Sequence, residues 1–475
     1  MSWAHQTREI EAHAFEPSWF LFWDPRTGKT RTIVDEIALW ISQGCKRVLI
    51  VAPQSACGVW LKDDELGRFD LSKVNIVDIS SDESIVDRTH SLRLDTDAVL
   101  PNIVVVNRDV IFKERSRGEG KGKLTGMQAA LKRWGPQAIV FDEVHDYRSV
   151  SSKRSRAAYE IAKRAPVRRG LSGTPDPRDY IDYFGIYKII APDVFGTRKS
   201  DFLERYCNMN HWYPNKVDSY RNVEELQAKI FSRASRVRQQ DCFDMPDVLP
   251  DIIQDVPFTK LARELYTELV KNTVADFLGL EIDATHQLAR LTILHQLAAG
   301  YVRDEHGSAE WVFDGKINAT LDYVDELIRA DKRVVIFHHY TPEGERLELL
   351  LAKRYKGRVG SLNGKTPRGQ RSPEPFLAAP KMRVFVAQED TANVSISLKQ
   401  ADHILWYSWG PRSEIHYQAR QRIFAERSEK PHGLSYTYLE VPNTVDGFYR
   451  QTIARKVSAS QALLDSGFTK AAYGK

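Results

Sequence analysis

Near the start of this chain, the residues best suited to chemistry are Gly28, Lys29 and Thr30, which close the stretch DPRTGKT from Asp24 to Thr30. A turn of this kind between a strand and a helix offers successive backbone N–H groups, and the positive end of the helix, to an anion. Lys29 can then reach the outer phosphates of a triphosphate, and the Thr30 hydroxyl can hold Mg2+. The full GxxxxGK[ST] spacing is not met, because Trp23 stands at the first glycine position, so an ordinary strand–helix turn is the competing reading. A second group, Asp142, Glu143, Val144 and His145, follows the apolar run AIVF. Adjacent carboxylates at a strand end are costly unless they bind a metal or activate a water. Asp142 would hold Mg2+ through a water, and Glu143 would polarise the water that attacks a γ-phosphate. The alternative is an acidic pair favoured by a helix dipole. Both motifs lie at strand ends, where open α/β sheets bind ligands, and together they point to triphosphate hydrolysis.

Elements able to position these groups are visible along the chain. Short apolar runs recur at 19–22 (WFLF), 47–52 (RVLIVA), 103–106 (IVVV), 138–141 (AIVF) and 170–174 (GLSGT). Their length and β-branched content suit buried strands of a parallel sheet. Between the first two, Ile33, Ile37, Trp40 and Ile41 fall at helical spacing, with Gly44 as the stop. The second half repeats the style, with strands at 333–337, 382–387, 403–407 and 435–441 and helices over 319–332 and 344–355. Between about 176 and 300 the pattern is helical and aromatic, and FTKLARELYTELV is expected to put Phe258, Leu261, Leu265, Tyr266 and Leu269 on one side. The expected division is a first domain over 1–240 with a helical protrusion from about 176, a Pro-rich connection over 241–257, and a second domain over 258–475 with a helical insertion up to about 300.

Composition narrows the class. The chain has 475 residues, 42% hydrophobic and 28% charged, with Lys+Arg 68 against Asp+Glu 63. Mean hydropathy is −0.43, and no long apolar run suits a membrane span or a secretory signal. Cys45, Cys57, Cys207 and Cys242 are scattered without a CxxC, which argues against a disulfide framework or zinc ribbon and for a reducing cytoplasm. Local basic runs at 115–126 and 153–169 suit a nucleic-acid partner, although solvated helix or loop faces explain them equally well. His338 and His339 end a strand with no ligand-spaced partner, His295 reads as a core histidine, and the aromatics of HWYPN (211–215) suit packing or base stacking.

The order GKT, DEVH, then LSGTP (Leu171 to Pro175) resembles superfamily 2 helicases and translocases, with their DEAD/DEAH-like core. The spacing and flanks are most similar to the Swi/Snf-like branch in its compact bacteriophage form. His5 and Gln6 resemble the adenine-reading Q motif, and VLIVAPQSACGVW (48–60) and VVVNRDVI resemble the next two motifs. DYFGIYKIIAPDVFGTRKSDFLERY resembles the helical protrusion, and SRVRQQDCFDMPDVLP the linker. In the second half VVIFHHYT, SLNGKTPRGQRSPEPF and the stretch from AQEDTANVSISL to YQARQRI are similar to the later motifs, so the resemblance runs from His5 to about Tyr449.

That resemblance implies two tandem RecA-like parallel-sheet α/β domains with helical insertions, binding ATP and nucleic acid at the cleft between them. It implies that ATP is held by His5, Gln6, Arg26, Thr27, Gly28, Lys29 and Thr30, with Mg2+ on Thr30 and Asp142. Lys29, Asp142, Glu143 and Arg422 would be catalytic, and Ser172, Thr174 and Gln418 would couple hydrolysis to movement. Nucleic-acid contacts would fall near Pro53, Gln54, Asn107, Asn363 and Gly364, mainly to phosphates, giving weak sequence preference. The implied activity is that of an ATP-dependent DNA translocase or helicase, a DNA-dependent ATPase on duplex or forked DNA. It would act as a monomer in the cytoplasm (of the host cell, if phage-encoded), with no membrane partner.

The sequence departs from the family pattern in three places: Arg26, and Val394 with Ser395, stand where a glycine is usual, and Ala425 stands where the last arginine of the Q…R..R motif is expected. That arginine normally stabilises charge on the transferring phosphoryl group. Arg427 or Arg420 is the candidate replacement; failing both, the chain would be an ATP-responsive nucleic-acid clamp with weak hydrolysis. A P-loop enzyme acting on protein or nucleotide is a third reading, against which the second domain with QARQRI argues.

Overall fold

The apolar runs of the first half become strands of one sheet. β1 (Ser18–Trp23), β2 (Arg47–Ala52), β4 (Asn102–Asn107), β5 (Ala138–Phe141) and β6 (Val167–Ser172) are its interior, with β3 (Asn75–Asp78) and β9 (Ala234–Val237) at the edges. The seven strands run in the order β3-β4-β2-β5-β6-β1-β9, and every pairing is parallel. Parallel strands covered by helices on both faces need apolar side chains on both, which is why these runs do not alternate. Accordingly Phe20, Leu21, Val48 to Ile50, Ile103 to Val106 and Ala138 to Phe141 are fully buried. Among the helices, α1 spans Ala4–His13, α2 Lys29–Ser42 and α3 Gln54–Trp60. α2 buries Ile33, Ile37 and Trp40 as its spacing predicts, and Gly44 follows at φ 93°.

This computed structural model describes residues 3–80, 88, 92, 100–112, 126–173, 180–210, 217–242, 244–277, 284–304, 306–362, 379–390, 398–455 and 468–474. The chain divides into two units, Met1–Phe243 and Asp244–Lys475. In the first, the stretch after β6 forms helices Ile181–Ile190, Pro192–Phe195, Lys199–Tyr206 and Val223–Phe231, with the short antiparallel pair β7 (Cys207–Met209) and β8 (Val217–Tyr220). Its core is aromatic: Phe184, Tyr187, Phe195, Phe202 and Tyr206 are buried against one another.

The second unit is built on a six-stranded sheet, β10-β17-β16-β13-β15-β14, again wholly parallel. Its strands are β10 (Ile252–Asp255), β13 (Val334–His338), β14 (Val359–Leu362), β15 (Val384–Gln388), β16 (His403–Trp406) and β17 (Ser435–Glu440). β11 (Tyr301–Arg303) and β12 (Ala309–Trp311) form a separate hairpin. β10 arises within the Pro-rich stretch and pairs with β17, while Leu249 N–H donates to Leu434 O (2.9 Å). Residues 244–255 are therefore part of the second unit's sheet layer. Along the helix Lys260–Phe277 the expected side is kept except at one position: Tyr266 is buried and Phe258, Leu265 and Leu269 pack half-buried against the same core, with Ala262 and Val270 buried beside them, whereas Leu261 is 70% exposed. Ala262, Tyr266 and Val270 follow one another at i, i+4, i+8 along the middle of that face, and Phe258 precedes the helix.

Among the described residues, no helix is long and apolar enough to cross a membrane. All four cysteines are free thiols, Cys57 and Cys207 buried and Cys45 and Cys242 half-buried.

Candidate functional site

Strand register brings the motifs of the first unit to one edge. Phe22 pairs with Ser172, Trp23 with Val237, Val51 with Phe141 and Ala52 with Asn107, so β1, β2, β4, β5 and β6 all end together at their carboxyl ends. From that edge Asp24 to Gly28 turns into α2, whose first two residues are Lys29 and Thr30. The turn is held from within and from both sides. Thr27 is buried and its hydroxyl donates to Asp24 O (2.8 Å). Asp24 N–H donates to Val237 O (2.9 Å), and its carboxylate accepts from Gln239 N–H (3.0 Å). Arg26, half-buried, is in the left-handed region at φ 64°.

His5 and Gln6 land on this turn. A His5 ring nitrogen lies 2.8 Å from Thr27 O, and the Gln6 amide donates to Gly28 O (3.0 Å) while accepting from Trp3 N–H (2.6 Å). Gly28 has φ 82°, and a Cβ there would fall 2.1 Å from Gln6 Nε2. Conformation and close approach therefore both require glycine. Helix α1 is fixed by Arg169, a fully buried guanidinium that donates to Glu36 Oε2 (2.7 Å), Glu16 O (2.8 Å), His13 O (3.0 Å) and Ala14 O (2.9 Å). It ties the end of α1 to α2 and β6, an anchor that nothing in its local sequence announces.

The DEVH group forms the turn after β5. Asp142 accepts from Trp60 Nε1–H on Oδ2 (3.0 Å) and from Glu143 N–H on Oδ1 (3.0 Å), which fixes the carboxylate plane. Burial, then the neighbouring Glu143 carboxylate, pushes the Asp142 carboxyl up to about 6, against the opposing pull of Trp60 and Lys29. Glu143 sits at φ 52°, a left-handed conformation that costs an L-residue about 1–2 kcal/mol. Its Oε2 is buried with no hydrogen bond, although His145 Nδ1 lies 3.3 Å away out of alignment. The same Nδ1 is 3.2 Å from the Ser172 hydroxyl, so His145 bridges the second motif and the third. A Cβ on Gly173 would lie 3.6 Å from Lys29 Nζ and 3.4 Å from Pro25, which closes the triangle of GKT, DEVH and SGT. Lys29 Nζ itself donates to Trp23 O (2.8 Å) and Asp24 O (3.0 Å), the carbonyls flanking the turn.

The donor chemistry suits a magnesium nucleotide. Thr30 and Asp142 offer hard oxygens, and Glu143 Oε2, which accepts no hydrogen bond and lies 3.3 Å from His145 Nδ1, is a carboxylate oxygen able to accept from a water. Among the described residues, no group of three or more His, Cys, Asp or Glu could hold a metal alone. A divalent ion would complete its shell with phosphate and water oxygens, as Mg2+ does. Along the same edge the Asn107 amide donates to Gln54 Oε1 (2.7 Å), and Gln54 is exposed. Pro53 is buried, lacks an amide proton and has its carbonyl taken by Ala56 and Cys57. Gln54 and Asn107 are thus what this stretch exposes. Thr174, Asn363, Gly364, Val394 and Ser395 lie outside the described residues, as do 211–215 and most of the basic run at 115–126.

In the second unit the helix Ser413–Gln421 carries Gln418, buried, with Arg422 half-buried at its C-cap. Arg420 donates to both Asp251 carboxylate oxygens (2.6 and 2.8 Å) and stacks 3.7 Å over Tyr436. Arg427 pairs with Asp244 (3.1 Å) and Asp247 (2.9 Å). Both candidate replacements for the absent last arginine are thus bonded to carboxylates of their own unit. His295 is fully buried, with Nδ1 2.9 Å from Tyr340 OH, as a core histidine should be.

Residues 12–300 match the family described as the SNF2-related domain. Among curated proteins, the chain is 24% identical over 432 residues to a SWI/SNF-related matrix-associated actin-dependent regulator of chromatin subfamily A-like protein 1 homolog of Caenorhabditis elegans, covering 86% of this chain and 54% of that protein. It is 21% identical over 423 residues to the DNA repair and recombination protein RDH54 of Saccharomyces cerevisiae (82% and 43% covered), and 25% identical over 186 residues to a transcriptional regulator ATRX homolog of C. elegans (36% and 13%). The chain spans about half the length or less of these relatives. Among solved structures it is similar to a Sulfolobus solfataricus SWI2/SNF2 ATPase core in complex with dsDNA, at 17% identity and a TM-score of 0.43, covering 99% of this chain and 94% of that one. The family match runs from the end of α1 to the end of the first unit and beyond it, over more than half of the sequence, and this chain belongs to the SNF2-related family.

Proposed function

We propose that the chain is an ATP-dependent DNA translocase, hydrolysing ATP with Mg2+ to move along or remodel duplex DNA with little sequence preference. The observation that carries this reading is the meeting of three motifs on one sheet edge, with His145 between Glu143 and Ser172 and Gly173 against Lys29. Lys29 and the amides at the start of α2 would receive the phosphates, while Thr30 and Asp142 would hold the ion. Bound there, Mg2+ would neutralise charge on the phosphate oxygens. Glu143 would take a proton from the attacking water, and its Oε2, which accepts no hydrogen bond, suits that role. Arg422 of the second unit would meet the γ-phosphate, so that nucleotide state would govern domain closure. DNA as the partner is supported by relatives named for chromatin regulation and DNA repair, and by the exposed Gln54–Asn107 pair, which suits backbone contacts. On this reading the chain is a compact, phage-type member acting as a monomer in the host-cell cytoplasm, where its four free thiols would stay reduced.

A second reading has its own support. Ala425 cannot act as an arginine finger, and Arg420 and Arg427 are held by Asp251, Asp244 and Asp247, so an ATP-responsive DNA clamp with slow hydrolysis also suits these residues. Glu143→Gln separates the two. For a motor, the variant loses DNA-stimulated turnover and keeps ATP-dependent DNA binding. For a clamp, parent and variant both bind DNA with ATP and both hydrolyse at the same low rate.

A further inference from the structure

At the carboxyl edge of the second sheet a small polar network joins three strand ends. His339 follows β13, Glu389 follows β15, and Ser408 to Arg412 leads from β16 into the helix that bears Gln418 and Arg422. His339 Nδ1 lies 2.5 Å from Glu389 Oε1, and that oxygen also accepts the Gly410 N–H at 2.5 Å. A Cβ on Gly410 would fall 2.6 Å from the His339 ring and 2.7 Å from Glu389, so the turn is pressed directly onto this pair. The backbone of His339 is engaged as well. Its N–H donates to the Ser408 hydroxyl (2.8 Å) and towards Glu343 (3.1 Å), and its carbonyl accepts from Gln388 Nε2 (2.9 Å). The next carboxylate, Asp390, pairs with Arg412, the N-cap of the helix Ser413–Gln421. Glu389 is almost fully buried and His339 mostly so.

We propose that His339 is a positioning residue: through Glu389 it fixes the Ser408–Arg412 turn, and thereby the register of the helix that presents Arg422. The inference rests on the reading of Arg422 given above. An exposed surface pair would contribute little to placement. Here one carboxylate oxygen is shared between a ring nitrogen and a backbone amide in a nearly dry site, so losing either partner leaves a buried acceptor or donor unsatisfied.

Protonation should matter for the same reason. Glu389, Asp390 and Glu343 face His339, as do the ring of His295 (centroids 6.1 Å apart), the adjacent His338 and Tyr340, while Lys316 lies beyond, bonded to Asp446. Burial alone would lower the His339 pKa, but the bond to Glu389 and the surrounding carboxylates outweigh it and hold the value above that of a free histidine. The charged form, and with it the full clasp, is present at lower pH and is lost as pH rises through that raised value.

The test is duplex-stimulated ATPase of the full chain, followed against pH. His339→Ala should lower kcat at saturating DNA about tenfold with the KM for ATP nearly unchanged, since Arg422 acts on the transition state. Glu389→Gln preserves shape and removes the counter-charge, so the alkaline fall in kcat should move at least one pH unit lower; His339→Gln should lack that fall. Hydrogen exchange at the Gly410 amide should be faster in Glu389→Gln whether or not the chain turns over ATP. A stimulated parent whose variants keep its kcat and pH profile overturns the inference, and so does unchanged exchange at Gly410. A parent without stimulation overturns the motor reading instead, and the exchange measurement then decides the clasp alone.

Discussion

Replacing Gly28 with alanine should weaken ATP binding sharply, and the size of the loss can be worked from the turn itself. Gly28 is at φ 82°, where an L-residue costs about 1–2 kcal/mol. The new methyl would also sit 2.1 Å from Gln6 Nε2 and force that amide off the Gly28 carbonyl, a bond worth about 1 kcal/mol net. The turn is half-exposed and can relax in the free protein, so the cost falls chiefly on the nucleotide-competent conformation. A total of about 2–3 kcal/mol corresponds to ~30- to 150-fold weaker binding. Gln6→Ala alone removes one bond and should cost about fivefold; in the Gly28→Ala background it relieves the clash and should recover a similar factor, a coupling of about 2 kcal/mol. Fluorescence titration with a labelled ATP analogue gives the four affinities of the cycle, and circular dichroism confirms that each variant folds. Binding by Gly28→Ala within twofold of the parent, or strict additivity between the two substitutions, would refute the argument that this glycine and glutamine shape one phosphate cradle.

Two further outcomes follow from the same structure. Arg422→Ala should lower DNA-stimulated kcat by about a hundredfold or more, as loss of a guanidinium that meets the γ-phosphate does, whereas Arg427→Ala should change it by less than about threefold because Asp244 and Asp247 already hold that guanidinium; the reverse ranking in a steady-state assay would make Arg427 the replacement for the arginine missing at Ala425. Burial raises Glu36 from 4.5 to about 7 despite Arg169, so its neutral form favours the native state. That stabilisation is complete below about pH 4.5 and fades as pH rises through about 7, an interval worth ~3 kcal/mol at most. Glu36→Gln removes that titration together with the counter-charge of the buried Arg169 guanidinium, so it should be less stable than the parent at every pH yet lose less stability between pH 5 and 8, and parallel pH dependence of the two melting temperatures would contradict it.

How much could be read from the residues alone depended on burial. Every interior strand of both sheets was legible, because strands covered on both faces are continuous apolar runs such as RVLIVA and IVVV. The strands that went unread are β3, β9, β10 and β14, the edges of the two sheets, besides the short hairpin strands. An edge strand is half-solvated and mixes charge with apolar residues, as SRV in β9 and IIQD in β10 do, so it lacks the signal. In the site, the strand-end motifs were legible because their spacing is local. The parts that orient them come from distant sequence. Trp60 on Asp142, Gln6 on Gly28 and Arg169 on Glu36 join residues 82, 22 and 133 positions apart, distances at which only the fold brings partners together. The link from His145 to Ser172 is of the same kind. A histidine directly after an acidic pair was a visible hint, yet its partner was not.

The central claim is that the Lys29 turn and the Asp142–Glu143 turn form a DNA-stimulated ATP hydrolase. The most direct test is the steady-state ATPase rate with no nucleic acid, duplex DNA, single-stranded DNA and RNA, for the parent and Lys29→Ala side by side. The account predicts at least a tenfold rise with duplex DNA, about 1.4 kcal/mol of added transition-state stabilisation, and its disappearance in Lys29→Ala. A flat rate in all four conditions, unchanged by Lys29→Ala, would contradict it and leave the clamp as the better description.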